Sequence, residues 1–129
     1  MEKARAFIDA YNRRDFEAAV ADFDPEIDWV LPARQSSDSG RGVDDVIRFW
    51  EEIDENFDDL QLQPQEHIDA GDRVATRLRH FGRSKLGVEI DQELYHQVAT
   101  FDDGRIVRME YFGSWPEALA AVGLSPGQR

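Results

Sequence analysis

The 129-residue chain carries 27 acidic against 15 basic side chains, a formal net charge of −12 at pH 7. That length fits one domain able to bury roughly two thirds of the surface its unfolded chain exposes, and the charge argues against nucleic acid and anionic membranes, both of which recruit Lys and Arg. With no cysteine there is no disulfide and no thiolate site, which suits a reducing compartment. The first residues, MEKARAFIDAYNRRDF, are charged from the second position and hold no apolar core of signal-peptide length, and no later stretch approaches a spanning helix. A cytoplasmic protein without a membrane partner is expected.

Ala4, Phe7, Ile8 and Tyr11 fall at i, i+3, i+4 and i+7, the spacing that lines one face of a helix. Phe16, Ala19, Val20 and Phe23 repeat it, with Asp15 placed to cap the second helix and Asp24-Pro25 to end it. Alternation from Glu26 to Leu31 then predicts a short strand that buries Ile27, Trp29 and Leu31 and stops at Pro32. ARQSSDSGRG reads as a loop long enough to move. From Gly42 to about Phe57 runs the best helix, with Val43, Val46, Ile47, Trp50 and Ile53 on one side and Asp44 and Asp45 in the first turn, where the dipole favours negative charge.

Beyond it the period drops to two. Strands are expected over Leu60–Asp69, Arg73–Phe81, Val88–Phe101 and Ile106–Gly113, joined in sequence as an antiparallel sheet. In the second of these, Thr76, Leu78 and His80 share the inward face and Arg77 and Arg79 the other. Asp102-Asp103-Gly104 is a hairpin signal, since such a turn wants positive φ and glycine supplies it without strain. Tyr95, Gln97, Ala99 and Phe101 share one face of the strand before it, and His96, Val98 and Thr100 the other. His67, His96 and Glu110 are placed on the outer face. Ser114-Trp115-Pro116-Glu117 has capping-box spacing and opens a last short helix ended by Gly123. One domain over residues 1–124 is expected, followed by a frayed tail over 125–129.

The phrases FIDAYNRRDFEAAVADFDPEIDWVLP, GRGVDDVIRFWEEI and FDDGRIVRMEYF followed by EALAAVGL resemble the SnoaL-like branch of the nuclear transport factor 2-like superfamily, which includes ketosteroid isomerases, limonene epoxide hydrolases and polyketide cyclases. The resemblance spans nearly the whole chain. It implies an α+β, cystatin-like conical barrel, in which a curved, mostly antiparallel sheet wraps around the long helix and leaves an apolar pocket at the open end. It also implies pairing of two chains through the outer sheet face, hence a homodimer. Activity does not follow from such a fold, because function lives in the site.

Carried over residue by residue, the resemblance removes the familiar machinery. In the isomerases the first-helix tyrosine falls at Phe7, the general-base aspartate at Leu31 and a second acid at Gln97. In the epoxide hydrolases an asparagine falls at Leu31, an arginine at Leu78, and aspartates at His80 and Tyr111. What survives is position. His80 is the candidate acid or base, since an imidazole titrates near neutrality; the plainer alternative is a hydrogen-bonded histidine at a strand end. Gln97 and Tyr111, with Tyr95 beside them, are candidate donors to a carbonyl or enolate oxygen. Trp29, Leu31, Trp50, Leu78, Tyr95 and Phe7 are candidates for the wall of a site for a small hydrophobic molecule. No cofactor is expected. Nor is a metal, since the three histidines are irregularly spaced and no HExxH is present. The reading is a small-molecule protein, either a cofactor-independent isomerase, cyclase or hydratase working by proton transfer, or a binding or interaction module without catalysis.

Overall fold

A computed structural model describes residues 2–31 and 40–124. The strand stop at Pro32, the serine-rich loop up to Ser39 and the tail over 125–129 lie outside the described residues. Two helices, α1 (Glu2–Asn12) and α2 (Phe16–Ala19), open the chain, and the stripe expected on α1 is buried from Ala4 to Tyr11. Asp15 caps α2 by accepting from the Ala18 amide. α2 is shorter than its spacing suggests. Phe23 belongs instead to strand β1 (Phe23–Val30), because Pro25 drives its predecessor out of the helical region and the pairing of β1 tolerates a proline where its register shifts between Phe23 and Asp28.

Gly40–Arg41, read as loop, forms a short strand β2 antiparallel to β1. Helix α3 (Val43–Asn56) buries Val46 and Trp50 and runs directly into β3 (Phe57–Asp69). β4 (Arg73–Ser84), β5 (Glu89–Gln92), β6 (His96–Asp102) and β7 (Arg105–Phe112) follow, then α4 (Trp115–Ala121). The sheet runs β2-β1-β7-β6-β4-β3, with β5 also on β4. Its pairs are antiparallel except β1 with β7, which is parallel. The curved α+β sheet expected is therefore present, with one parallel seam. At the β6–β7 turn Asp103 and Gly104 both have positive φ, 51° and 78°, as the two central residues of a type I′ hairpin require.

Two layers of core result. On the inner face, α1, α2 and α3 pack with Ile27, Trp29, Leu78, Ala99, Ile106 and Met109. On the outer face α4 covers Ala75 and Val98 with Trp115, Ala118 and Leu119. The strand expected over Val88–Phe101 is broken at residues 93–95. His80 stands opposite Gln92 while Thr76 stands opposite Gln97, so the facing chain carries one residue more than β4 and bulges. A second shift, between Pro64 and Glu66, reverses the outer-face placement of His67. Its Nδ1 lies 2.9 Å from Thr76 Oγ1, and it borders α1 beside Arg5 and Asp9, while Ile68 turns out toward the α4 cluster. His96 is on the outer face, as expected, but buried under Trp115 at 5.6 Å between ring centres.

Ser114 caps α4 by accepting from the Glu117 amide. Ser114→Ala is expected to cost about 1 kcal/mol, read as a lower urea midpoint at unchanged slope; no loss would mean that α4 is held by Trp115 and its apolar face alone.

Candidate functional site

The open end of the cup is set by where α1 and α3 cross the inner sheet face. α1 gives it Phe7 and Tyr11, α3 gives Phe49, Trp50 and Ile53, β1 and its end give Trp29 and Leu31, β3 gives Phe57, Leu60 and Leu62, β4 gives Leu78 and His80, the break gives Leu94 and Tyr95, and β7 gives Tyr111. They enclose a cavity of about 330 Å³, within the range usual for small-ligand sites. Among the described residues no carboxylate, lysine or arginine stands on this wall. A second depression of about 440 Å³, polar and more open, lies outside the cup between α1 and the bulge of β3.

Of the residues singled out from sequence, Phe7, Trp29, Leu31, Trp50, Leu78, His80, Tyr95 and Tyr111 come together on this wall. Gln97 does not. It stands opposite Tyr111 in the sheet, fully buried, and neither its amide nitrogen nor its amide oxygen has a partner among the described residues. The Trp29 indole nitrogen is likewise unpartnered, and its ring lies 5.0 Å from that of Tyr111. Tyr11, Phe49, Ile53, Phe57, Leu60, Leu62 and Leu94 join the wall without having been singled out as site residues. Tyr11 and Ile53 sat on the apolar stripes of their helices, which was the available signal; Leu94 reaches the wall only through the break.

His80 is 5% exposed. Burial, which penalises the cation, pulls it down to about 4; backbone hydrogen bonding at Gln92 and the charge of Glu93 oppose this and His96 adds to it. Its Nδ1 accepts the Leu94 amide at 3.2 Å. In the neutral ring the proton therefore sits on Nε2. Burial also pushes Tyr111 well above the usual phenol value and Tyr11 up to about 12, the latter opposed by Arg14. His80, Tyr11 and Tyr111 are thus neutral at pH 7, and the two hydroxyls and the Nε2 proton can donate.

A family model described as a SnoaL-like domain matches residues 4–109. The chain belongs to the SnoaL-like family. Among solved structures, this SnoaL-like chain is similar to an NTF2-like protein of unknown function from Burkholderia pseudomallei, at 24% identity and a TM-score of 0.80 over 95% of this chain and 96% of that one. It is similar to TerC, co-crystallised with polyporic acid, at 23% identity and 0.78 over 88% and 89%. A putative polyketide cyclase from Sinorhizobium meliloti matches at 22% and 0.70 over 87% and 94%. At these identities the likeness of the SnoaL-like chain to each is one of fold. No curated protein matches it. No helix among the described residues is long and apolar enough to cross a membrane.

Proposed function

We propose that this SnoaL-like protein binds a flat, hydrophobic, oxygen-bearing small molecule in the cup and holds its oxygens by hydrogen bonds from His80 and Tyr111. The observation that carries the reading is the wall itself, apolar and aromatic, with neutral donors and, among the described residues, no carboxylate, lysine or arginine. Such a lining rejects charged guests, which would lose hydration without gaining a partner, and suits a carbonyl-bearing ring system against the aromatic wall.

Proton transfer by His80, with Gln97 and Tyr111 at the oxygen, is the reaction the sequence suggests for the catalytic alternative. Two features weigh against it. The only lone pair of the neutral ring is already engaged by the Leu94 amide, and among the described residues the wall offers no carboxylate to serve as base instead. His80 is then an electrophilic donor, and binding without proton abstraction is the better-supported form of the proposal. A homodimer in the cytoplasm completes it, to be checked as twice the 14.8 kDa chain mass in light scattering.

A panel of neutral aromatic ketones and quinones is the first probe, with polyporic acid, the compound crystallised with TerC, as its acidic member. Saturable quenching of the wall tryptophans is expected from at least one. Tyr111→Phe keeps the ring and removes the donor, and should weaken that compound roughly tenfold, the worth of one buried hydrogen bond of about 1.4 kcal/mol. Quenching by none of them, or full affinity in Tyr111→Phe, would overturn the assignment; recovery of the bound compound chemically altered would restore catalysis.

A further inference from the structure

Between β5 and β6 the chain leaves the ladder for residues 93–95, and these bring Leu94 and Tyr95 to the wall of the cup. Backbone that strand pairing does not hold is held here by side chains. On the cavity side the Leu94 amide donates to His80 Nδ1 at 3.2 Å, and the His80 ring stands edge-on to Tyr95 at 6.3 Å. On the outer side the Glu93 carboxylate accepts from Arg77 Nε at 2.7 Å and Nη2 at 3.2 Å, a two-pronged grip. His96 Nε2 lies 3.6 Å from the same carboxylate, and His96 Nδ1 accepts the Leu78 amide at 3.2 Å. The one-residue bulge thus leaves two backbone amides to buried imidazoles.

An imidazole accepts at Nδ1 only while that nitrogen is bare. A proton there would set two N–H groups against each other. The two ends of the segment differ in what acid does to them. At the outer end, a charged His96 loses the Leu78 amide but is drawn to Glu93, whose carboxyl Arg77 holds below the usual range, so the grip on Glu93 survives. At the inner end the Gln92 backbone and the charge of Glu93 favour the cation, but burial outweighs both, and neither replaces the bond to the Leu94 amide. His80 faces Gln92 of β5, Leu62 of β3 and the tyrosines of the cup, with Glu93 and His96 the charged or titratable groups acting on it from the break and from β6.

We propose that His80 is an acid-released latch on the cavity wall: protonation frees Leu94 and Tyr95 from the cup while Glu93, gripped by Arg77 and His96, stays as the hinge. At pH 7 the latch is closed, because burial keeps the ring neutral; it opens as pH falls toward 4. The consequence, discharge of a bound guest in acid, rests on the binding proposed above. The latch itself belongs to the free protein.

Site-resolved amide hydrogen exchange on the full chain without ligand tests it. Protection of the Leu94 amide, corrected for intrinsic exchange, should fall at least tenfold between pH 7 and pH 4 while the β6–β7 ladder keeps its protection. His80→Asn places a carbonyl oxygen near the position of Nδ1 and does not titrate, so Leu94 should stay protected at both pH values; His80→Leu offers no acceptor and should leave it unprotected at both. Unchanged protection in the wild type, equal loss across the ladder, or acid release in His80→Asn like that of the wild type would each overturn the latch. Release of Leu94 with no guest among the compounds tried sinks the binding proposal alone, and a bound guest over a pH-insensitive Leu94 sinks the latch alone.

Discussion

Trp50→Ala is expected to destabilise the protein by about 3–5 kcal/mol, the range for removing a large aromatic from a core. A domain of this kind has only about 5–15 kcal/mol to lose. Trp50 is 3% exposed, and its ring lies 5.3–6.3 Å from those of Phe7, Tyr11, Phe16, Phe23 and Trp29. It is therefore the point where α1, α2, β1 and α3 meet, and no neighbour can collapse into its place without releasing another. With a urea slope of about 2 kcal/mol per molar, the midpoint should drop by roughly 2 M. Trp50→Phe keeps one ring and should lose markedly less. A loss under about 1 kcal/mol for the alanine variant would mean that the cup is assembled by the sheet and that the helices merely rest on it.

Trp50 was legible because helix periodicity is a local property. The stripe of α1 is buried as its spacing named, that of α3 buries Val46 and Trp50 and packs Val43, Ile47 and Ile53 half-buried against the core, and Asp103-Gly104 turned where its chemistry required. The errors share one cause, which is that tertiary pairing overrides a local pattern. Phe23 extends the spacing of α2 by coincidence, but its backbone is taken by β7, opposite Ile106. His67 keeps its place in an alternating string, yet the shift between Pro64 and Glu66 turns it inward. The misplacement of His67 is one residue of register, which in a strand exchanges the two faces.

The site divides along the same line. Alternation and the family resemblance put His80 and Tyr111 on a common wall, because both depend on residues well inside their strands. Gln97 obeys the same alternation but ends beside Tyr111 rather than on the wall, with its amide unpartnered among the described residues; depth below a surface is not encoded in a period of two. Least legible was the tautomer of His80. It follows from a hydrogen bond to Leu94 that exists only because the chain bulges at 93–95, and it converts a candidate base into a donor.

The burial of His80 has a thermodynamic signature. Between pH 6.5 and pH 4, His80 alone is expected to withdraw about 3 kcal/mol of stability, the linkage value of a fall from 6.5 to about 4. The unfolded chain binds a proton near 6.5 that the folded chain refuses until about 4, so acid favours unfolding across that window. The contribution is complete above 6.5, spent by about 4 and flat below. Burial lowers His67 and His96 too, which adds to the slope, whereas the depressed Glu93 carboxyl acts further down, its contribution lost only as pH falls through its own folded-state value. Urea unfolding at a series of pH values reads the slope directly. His80→Asn removes the titrating group and should flatten it between 6.5 and 4 whatever it does to stability at pH 7. Equal slopes in wild type and variant would mean that His80 is hydrated in the folded state. If residues 93–95 let go before the fold does, the loss levels off early, at the free energy of that local release, because an opened wall lets His80 take its proton without unfolding. The pH at which the wild-type curve bends should then coincide with the loss of Leu94 protection.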